Sequence, residues 1–501
     1  MAAWLLYELL RAAVVRTAKA RYEAQVDRFL RQHDIPVDGF RHTHRVVVKE
    51  RVLADPGLVA AIDDRARDDG RTFHEVREEV KVWLDEIVPQ FNLLAYYKVG
   101  YALGRTAAYA TYNVRLDKES LRRAQAAIPK DAAVVYVSNH RSNADFVVTG
   151  FMLSKSVQVS YAVGEWARVW PLESLFKAFG SYFVRRGEKD PLYHRTLEAY
   201  LQLVTKQGVT QAMFPEGGLT RDGALRPPKL GLLDYMVKAK LDPDFQRPLV
   251  FVPVGINFDR VLEDENMVYE AAHGRPKYRK RSVGQKIRRL FSLTGKLVWG
   301  WPINVARFAA KRLKKHGVAA IHFGKPIVFD DWYADQSSFL ADPDRKQRQE
   351  RLRPFGDRLL RDIGNNIPAT PVTVLCHGLA AIGETYLRTG VDRGTILLSL
   401  RRSLDAMRAA GRPLAVGDPY TAVAGHDHHR HVAHITDEVE RAEETEAVLE
   451  RALDVIRGRG ILDHAEGVWW TKRWDLVQYY ANSLRDVQLD ADVDEAVAVL
   501  A

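Results

Sequence analysis

The chain has 501 residues, 47% hydrophobic and 28% charged, a globular composition that gives room for several structural units and excludes a disordered or low-complexity protein. A single cysteine, Cys376, excludes a disulfide framework and a cysteine zinc site, and a formal net charge of +10 calls for an anionic partner. No run of about 18 uncharged apolar residues occurs, so no membrane-spanning helix is expected.

In chain order, MAAWLLYELLRAAVVRTAKARYEA lacks the basic leader and unbroken apolar core of a secretory signal, because Glu8 and Arg11 interrupt it. It reads as an amphipathic helix with Trp4, Leu6, Leu9, Leu10 and Ala13 on its apolar face, either lying at an interface or packed on the protein. Residues 1–105 are expected to be a helical region, with Asp-Pro at Asp55 and Asp-Asp-Gly before Arg71 as punctuation. From 106 to 335 short β-branched runs alternate with helical spacing. Strands are expected at Val134–Val137, Val157–Val163, Tyr182–Val184, Thr210–Phe214, Leu249–Ile256 and Ala319–Phe323. Helices at Trp166–Phe179, Leu192–Gln207 and Leu230–Lys240 fill gaps between them. That alternation predicts an α/β domain with a mostly parallel sheet. Helical periodicity returns over 336–501, a C-terminal helical region.

The chemistry begins at SNHRSNAD, Ser138–Asp145, directly after an apolar strand. His140 stands at the strand's exit with Asp145 five residues on. A carboxylate beside an imidazole fixes its tautomer and stabilises the cation formed when the free nitrogen takes a proton, which is what a general base needs. GSYFVRRG puts Arg185 and Arg186 at the end of a further strand, on opposite faces by strand alternation. MFPEGGLTRDGALRPPK couples Glu216 to Gly217 and Gly218, whose backbone N–H groups can approach an anion, then to Thr220, Arg221 and Lys229. VFVPVGINF reads as a buried strand beside the site. In open α/β sheets ligands bind beyond the carboxyl ends of the strands, so these segments make one candidate site. A serine-hydrolase reading with Ser138 or Ser142 as nucleophile is discounted, because neither lies in a G-x-S-x-G elbow.

HRSNAD, GSYFVRR, FPEGGLTR and VPVGIN, in this order and spacing, resemble the four blocks of the glycerolipid acyltransferase superfamily. HRS, the double Arg and EGG with T-R look most like its bacterial glycerol-3-phosphate branch and the related dihydroxyacetone-phosphate enzymes. FGKPI, Phe323–Ile327, resembles the segment that closes the catalytic domain. The resemblance implies an α/β acyltransferase domain between the two helical regions, with His140 as base and Asp145 as its orienting partner. It implies that Glu216 and Gly217 belong to the glycerol-phosphate site and that Arg186 and Arg221 bind its phosphate. Leu219 stands where a common form of the third block has Arg, and Arg141, Arg185 or Lys229 are the expected compensation. Ser142, Gly218 and Thr220, inside the same blocks, complete the expected substrate-binding set. The implied reaction is acyl transfer from acyl-CoA or acyl-carrier protein, a co-substrate rather than a bound cofactor, to the sn-1 hydroxyl of glycerol 3-phosphate. Dihydroxyacetone phosphate as acceptor is the alternative, and a non-catalytic membrane- or carrier-binding module the rival outside the class.

Arg275–Lys315 contains fourteen Lys and Arg and no acidic residue, interleaved with Phe291, Trp299, Trp301 and Phe308. Pro302 divides it into two amphipathic pieces. Basic and aromatic residues at helical spacing read as contact with an anionic membrane surface, hence a peripheral enzyme on the cytoplasmic face; a basic insertion packed on the domain is the plain alternative. The same run could bind nucleic-acid phosphates or an acidic acyl-carrier protein; no nucleic-acid signature accompanies the charge, so nucleic acid is not the expected partner. GHDHHRHVAH, Gly425–His434, lacks any zinc-site pattern, and no metal is expected there. Cys376 and His377 fall on a predicted buried helix and are expected to be packed.

Overall fold

The computed structural model describes residues 45–90, 101–153, 160–164, 172–185, 187–274, 315–417 and 438–489. The segment around Trp4, Arg186, the basic run up to residue 314 and the histidine-rich loop lie outside the described residues.

Three helices come first: α1 (Arg45–Leu53), α2 (Pro56–Asp69) and α3 (Phe73–Ile87). Their ends follow from the punctuation in the sequence. Asp55 accepts the Leu58 N–H as N-cap with Pro56 at the first helical position, and Gly70 closes α2 at φ +63°. Thr72 and Glu75 form a capping box at the start of α3. Next come α4 (Tyr101–Thr111), β1 (Asn113–Leu116), α5 (Lys118–Ala126), β2 (Ala133–Ser138), α6 (Ala144–Leu153), β3 (Ser160–Gly164) and α7 (Leu172–Ala178). They are followed by β4 (Tyr182–Val184), α8 (Pro191–Lys206), β5 (Gln211–Met213), α9 (Gly231–Val237), β6 (Leu249–Phe258) and α10 (Asp264–His273). After the basic run stand β7 (Val318–Phe323), β8 (Ile327–Val328), α11 (Phe329–Tyr333) and α12 (Arg345–Asn365).

The strands form one sheet in the order β1-β7-β6-β2-β5-β3-β4, with β8 paired to β6. Five of its pairings are parallel, while β6 meets β7 and β8 antiparallel. The sheet is therefore the mostly parallel one the sequence predicts. The antiparallel turn at β7 and the four-residue β1 are differences: NVRL carries no apolar run, and strand direction leaves no mark in composition.

Side chains alternate across this sheet and build a core on each face. Ala133, Val135 and Val137 of β2 with Leu249 and Phe251 of β6 join a cluster with α1–α3, α8, α9 and α12. Tyr136 of β2 and Val250, Val252, Val254 and Ile256 of β6 join the opposite cluster. There they meet α4–α6 and a C-terminal layer: α13 (Pro371–Ile382), α14 (Glu384–Thr389), α15 (Arg393–Ala409), α16 (Glu438–Ile456) and α17 (Trp474–Ala481). Cys376 and His377 are buried in α13, where His377 is bonded to Ser403 Oγ at 3.0 Å and Val487 O at 2.8 Å. The C-terminal layer also holds a small sheet of β9 (Val391–Asp392), β10 (Asp463–Ala465) and β11 (Val468–Trp470), an addition to the helices expected there.

One close approach fixes how α12 meets the sheet. A Cβ on Gly255 would lie 1.9 Å from the Asn366 carbonyl oxygen, a backbone atom that cannot step aside. Gly255→Ala is expected to lower unfolding free energy by about 1–3 kcal/mol, the cost of overpacking a rigid contact. Denaturant melts that superpose on wild type would refute the contact.

Candidate active site

β2 delivers the site. Its last residue, Ser138, pairs with Val254 of β6, and Asn139 continues the pairing with its side chain, bonding Ile256 N and O at 2.8 Å each. The chain then turns into α6, and Asp145 falls in that helix's first turn. Its Oδ2 accepts three hydrogen bonds: from His140 Nδ1 at 2.9 Å, from Arg141 N at 2.8 Å and from Ser142 N at 3.1 Å. An oxygen that takes two backbone N–H groups is an acceptor, so the His140 Nδ1 carries a proton, and in the neutral ring the lone pair is then on Nε2. The imidazole stacks on Phe214 with ring centroids 4.1 Å apart and meets Phe146 edge-on at 5.5 Å. Both His140 and Asp145 are buried.

The peptide of His140 is gripped from the segment after β5. Its N–H donates to Glu216 Oε1 at 2.9 Å and its carbonyl accepts from Thr220 N at 3.0 Å. Glu216 Oε2 accepts from Arg226 N at 2.9 Å. Gly217 makes the turn at φ +65°, and a Cβ there would lie 2.6 Å from the Lys229 side chain. Burial pushes the Glu216 carboxyl up to about 7, against the pull of the two backbone N–H donors and the Arg226 charge.

A family model described as Acyltransferase matches residues 120–257, the stretch that carries His140, Asp145 and Glu216. Over this stretch the chain is similar to that family. Curated relatives named glycerol-3-phosphate acyltransferase include that of Pseudoalteromonas atlantica, 26% identical over 63% of this chain and 37% of its own length. That of Actinobacillus succinogenes is 26% identical over 74% of this chain and 41% of its own, and that of Histophilus somni 27% identical over 79% and 43%. The chain thus spans about two fifths of the length of the curated relatives it matches. A solved 1-acyl-sn-glycerophosphate acyltransferase from Thermotoga maritima aligns over 52% of this chain and 79% of its own, at 17% identity and a TM-score of 0.27, and carries no weight here.

Within the matched stretch and beside it, several side chains expected to touch substrate are occupied by the protein. Ser142 Oγ donates to Glu263 Oε2 at 2.7 Å and accepts from Ala144 N at 3.0 Å. Thr220 Oγ1 bonds Ala224 O at 2.7 Å and Asp222 Oδ1 at 3.1 Å. Arg185 forms a bidentate pair with Glu86 of α3, both contacts 2.9 Å, and lies over the Tyr193 ring. It ties α3 to the end of β4. Arg221 Nε meets Glu270 Oε2 of α10 at 3.3 Å. Glu216 holds backbone rather than offering a free carboxylate, because a buried carboxylate is stabilised by the N–H groups around it. Gly218 is buried in the Glu216 turn, and Lys229 is exposed beside it, its backbone N–H bonded to Pro215 O at 2.8 Å. Arg141, 2% exposed, is the expected site cation that the fold buries.

Sequence reasoning missed Glu263, which receives Ser142 Oγ, Asn143 N at 3.2 Å and Asn143 Nδ2 at 2.9 Å and so braces the loop from beyond β6. It missed Phe214 and Arg226 although both lie in or next to the third block. It also missed Tyr479 of α17, which stands against Arg141. No spacing signal links Glu263 or Tyr479 to the loop.

Glu216 holds its proton more tightly in the folded chain than at its ordinary value of 4.5. Its contribution to stability is therefore greatest below that pH and is lost as pH rises to about 7. Relative to Glu216→Gln, the wild-type chain should lose about 3 kcal/mol of unfolding free energy across this window. Paired denaturant melts over the window check this, and a difference independent of pH would contradict it.

Proposed function

We propose that this chain is an acyltransferase that acylates the sn-1 hydroxyl of glycerol 3-phosphate from an acyl thioester, acyl-CoA or acyl-carrier protein, to give lysophosphatidic acid. The observation that carries the proposal is the His140–Asp145 pair, with Asp145 saturated by N–H donors on one oxygen and His140 held at both ends of its peptide. The four sequence blocks and the names of the relatives support the acceptor.

In this reading His140 Nε2 takes the proton of the sn-1 hydroxyl as its oxygen attacks the thioester carbonyl carbon. A tetrahedral oxyanion forms, the C–S bond breaks, and the leaving thiolate recovers the proton from His140. Asp145 stabilises the intervening imidazolium and prevents the ring from turning. Acyl group and proton are both accounted for without a covalent enzyme intermediate. His140→Ala should cut the transfer rate at least about a hundredfold while the thermal melt stays unchanged, and Asp145→Asn should fall with it. A His140→Ala chain that turns over like wild type would remove the base assignment. Assaying glycerol 3-phosphate against dihydroxyacetone phosphate, with one acyl-CoA, decides the acceptor; transfer to neither would favour the non-catalytic module.

The enzyme is proposed to work at an anionic membrane surface, on the cytoplasmic face, as a peripheral protein. The basic and aromatic run from Arg275 to Lys315 supports this. Among the described residues no helix is long and apolar enough to cross a membrane. Flotation with vesicles of mixed anionic and zwitterionic lipid should carry the full chain upward at low salt and lose it at high salt. Equal flotation with purely zwitterionic vesicles would reject the electrostatic contact.

A further inference from the structure

Arg141 is the residue after the proposed base, and its guanidinium is in an unusual position for a charge. It is 2% exposed, and among the described residues its Nε and Nη1 have no hydrogen-bond partner. Among the described residues its one side-chain hydrogen bond is from Nη2 to the Tyr479 carbonyl oxygen at 3.4 Å. No carboxylate pairs with it among the described residues, whereas Arg185 has Glu86 and Arg348 has Asp234 at 2.7 and 2.9 Å. A guanidinium cannot shed its charge, so burying one without an anion is costly unless a ligand supplies that anion.

What holds Arg141 there is the C-terminal layer. The guanidinium carbon lies 5.2 Å from the centre of the Tyr479 ring, a cation–π contact, and the ring is itself buried. The Tyr479 carbonyl belongs to the last turn of α17, the helix end that favours a cation. That same carbonyl presses on the third block: a Cβ on Gly223 would lie 1.8 Å from it, and Asn482 Nδ2 donates to Asp222 O at 2.8 Å. Helix α17 is therefore docked at once on the residue after the base and on the loop whose Thr220 holds the His140 carbonyl.

We propose that α17 is part of the acceptor site: Tyr479 positions Arg141, and the unpaired guanidinium N–H groups of Arg141 bind the phosphate of the acceptor. The proposal rests on the acyl-acceptor reading above and adds to it the residue that takes the phosphate and the element that supports it. Arg141 replaces the cation missing at Leu219, and Tyr479 acts through Arg141 as a positioning residue.

The test is binding to the full chain by titration calorimetry, with glycerol 3-phosphate, inorganic phosphate and glycerol as probes, alongside transfer kinetics. Wild type should bind glycerol 3-phosphate and, more weakly, phosphate, and should not bind glycerol. Arg141→Lys loses the planar fork and should weaken glycerol 3-phosphate by about tenfold. Tyr479→Leu should weaken it severalfold, and Tyr479→Phe, which keeps the ring, should bind more tightly than Tyr479→Leu. In kinetics the loss should fall on KM for the acceptor, with KM for acyl-CoA unchanged. Thermal melts of each variant identify any that fails to fold, and Arg141→Lys keeps the question open if Tyr479→Leu does. Wild-type affinity for glycerol 3-phosphate in folded Arg141→Lys or Tyr479→Leu would overturn the proposal, as would a wild-type chain that binds neither phosphate-bearing probe. Because binding is read without turnover, a chain that binds through Arg141 yet transfers no acyl group would sink the catalytic reading and leave this site standing.

Discussion

A single carboxylate oxygen carries the geometry of the site. Asp145 Oδ2 collects the His140 ring N–H and the backbone N–H groups of Arg141 and Ser142 in the turn between β2 and α6. Without it, two buried amides would lose their acceptor, each at a cost of about 1–3 kcal/mol, and the imidazole would lose both its orientation and its tautomer. The demands of folding and of chemistry fall on the same atom. Glu216 and Thr220 on one side and Glu263 on the other then immobilise the loop that this oxygen shapes. The loop is held mainly through its backbone, so the side chains of Ser142, Thr220 and Glu216 are spent on support.

The sheet was readable because its central strands are buried on both faces. Runs such as LVFVPVGINF are apolar without interruption, and their alternating side chains fill the two cores. β1 and β8 were not readable, since four and two residues at the margin of a sheet need no apolar signature. His140 and Asp145 were legible because a dyad within one turn is local in sequence. Glu216 was legible as a residue and misread as to duty, because its partners are backbone N–H groups that no residue type advertises. Glu263 and Tyr479 meet the loop across 121 and 338 residues respectively, and no pattern in one sequence encodes that.

The two flanking layers each reach the site through an arginine, and the contrast between them is chemical. On one face, Arg185 satisfies Glu86 in a bidentate pair and so joins the N-terminal helices to β4. On the other, Arg141 is enclosed against Tyr479 with no acid paired to it among the described residues. An ion pair closes a seam between layers, whereas an enclosed unpaired cation leaves an electrostatic debt at the place where an anionic acceptor would bring its phosphate.

Glu216 links the protonation of the site to its shape. Its two oxygens accept from two different backbone segments, so the ionised form suits the geometry, while burial favours the neutral form and brings the carboxyl up to about 7. A proton on either oxygen adds a donor and reduces that oxygen's acceptor capacity, so one of the two grips weakens while the buried neutral form gains. If Oε1 weakens, the peptide of His140 loosens; if Oε2 weakens, the turn that carries Thr220 loosens, and with it the other end of the same peptide. Either way the structure ties the placement of His140 to the protonation of Glu216, whose carboxyl burial raises to about 7.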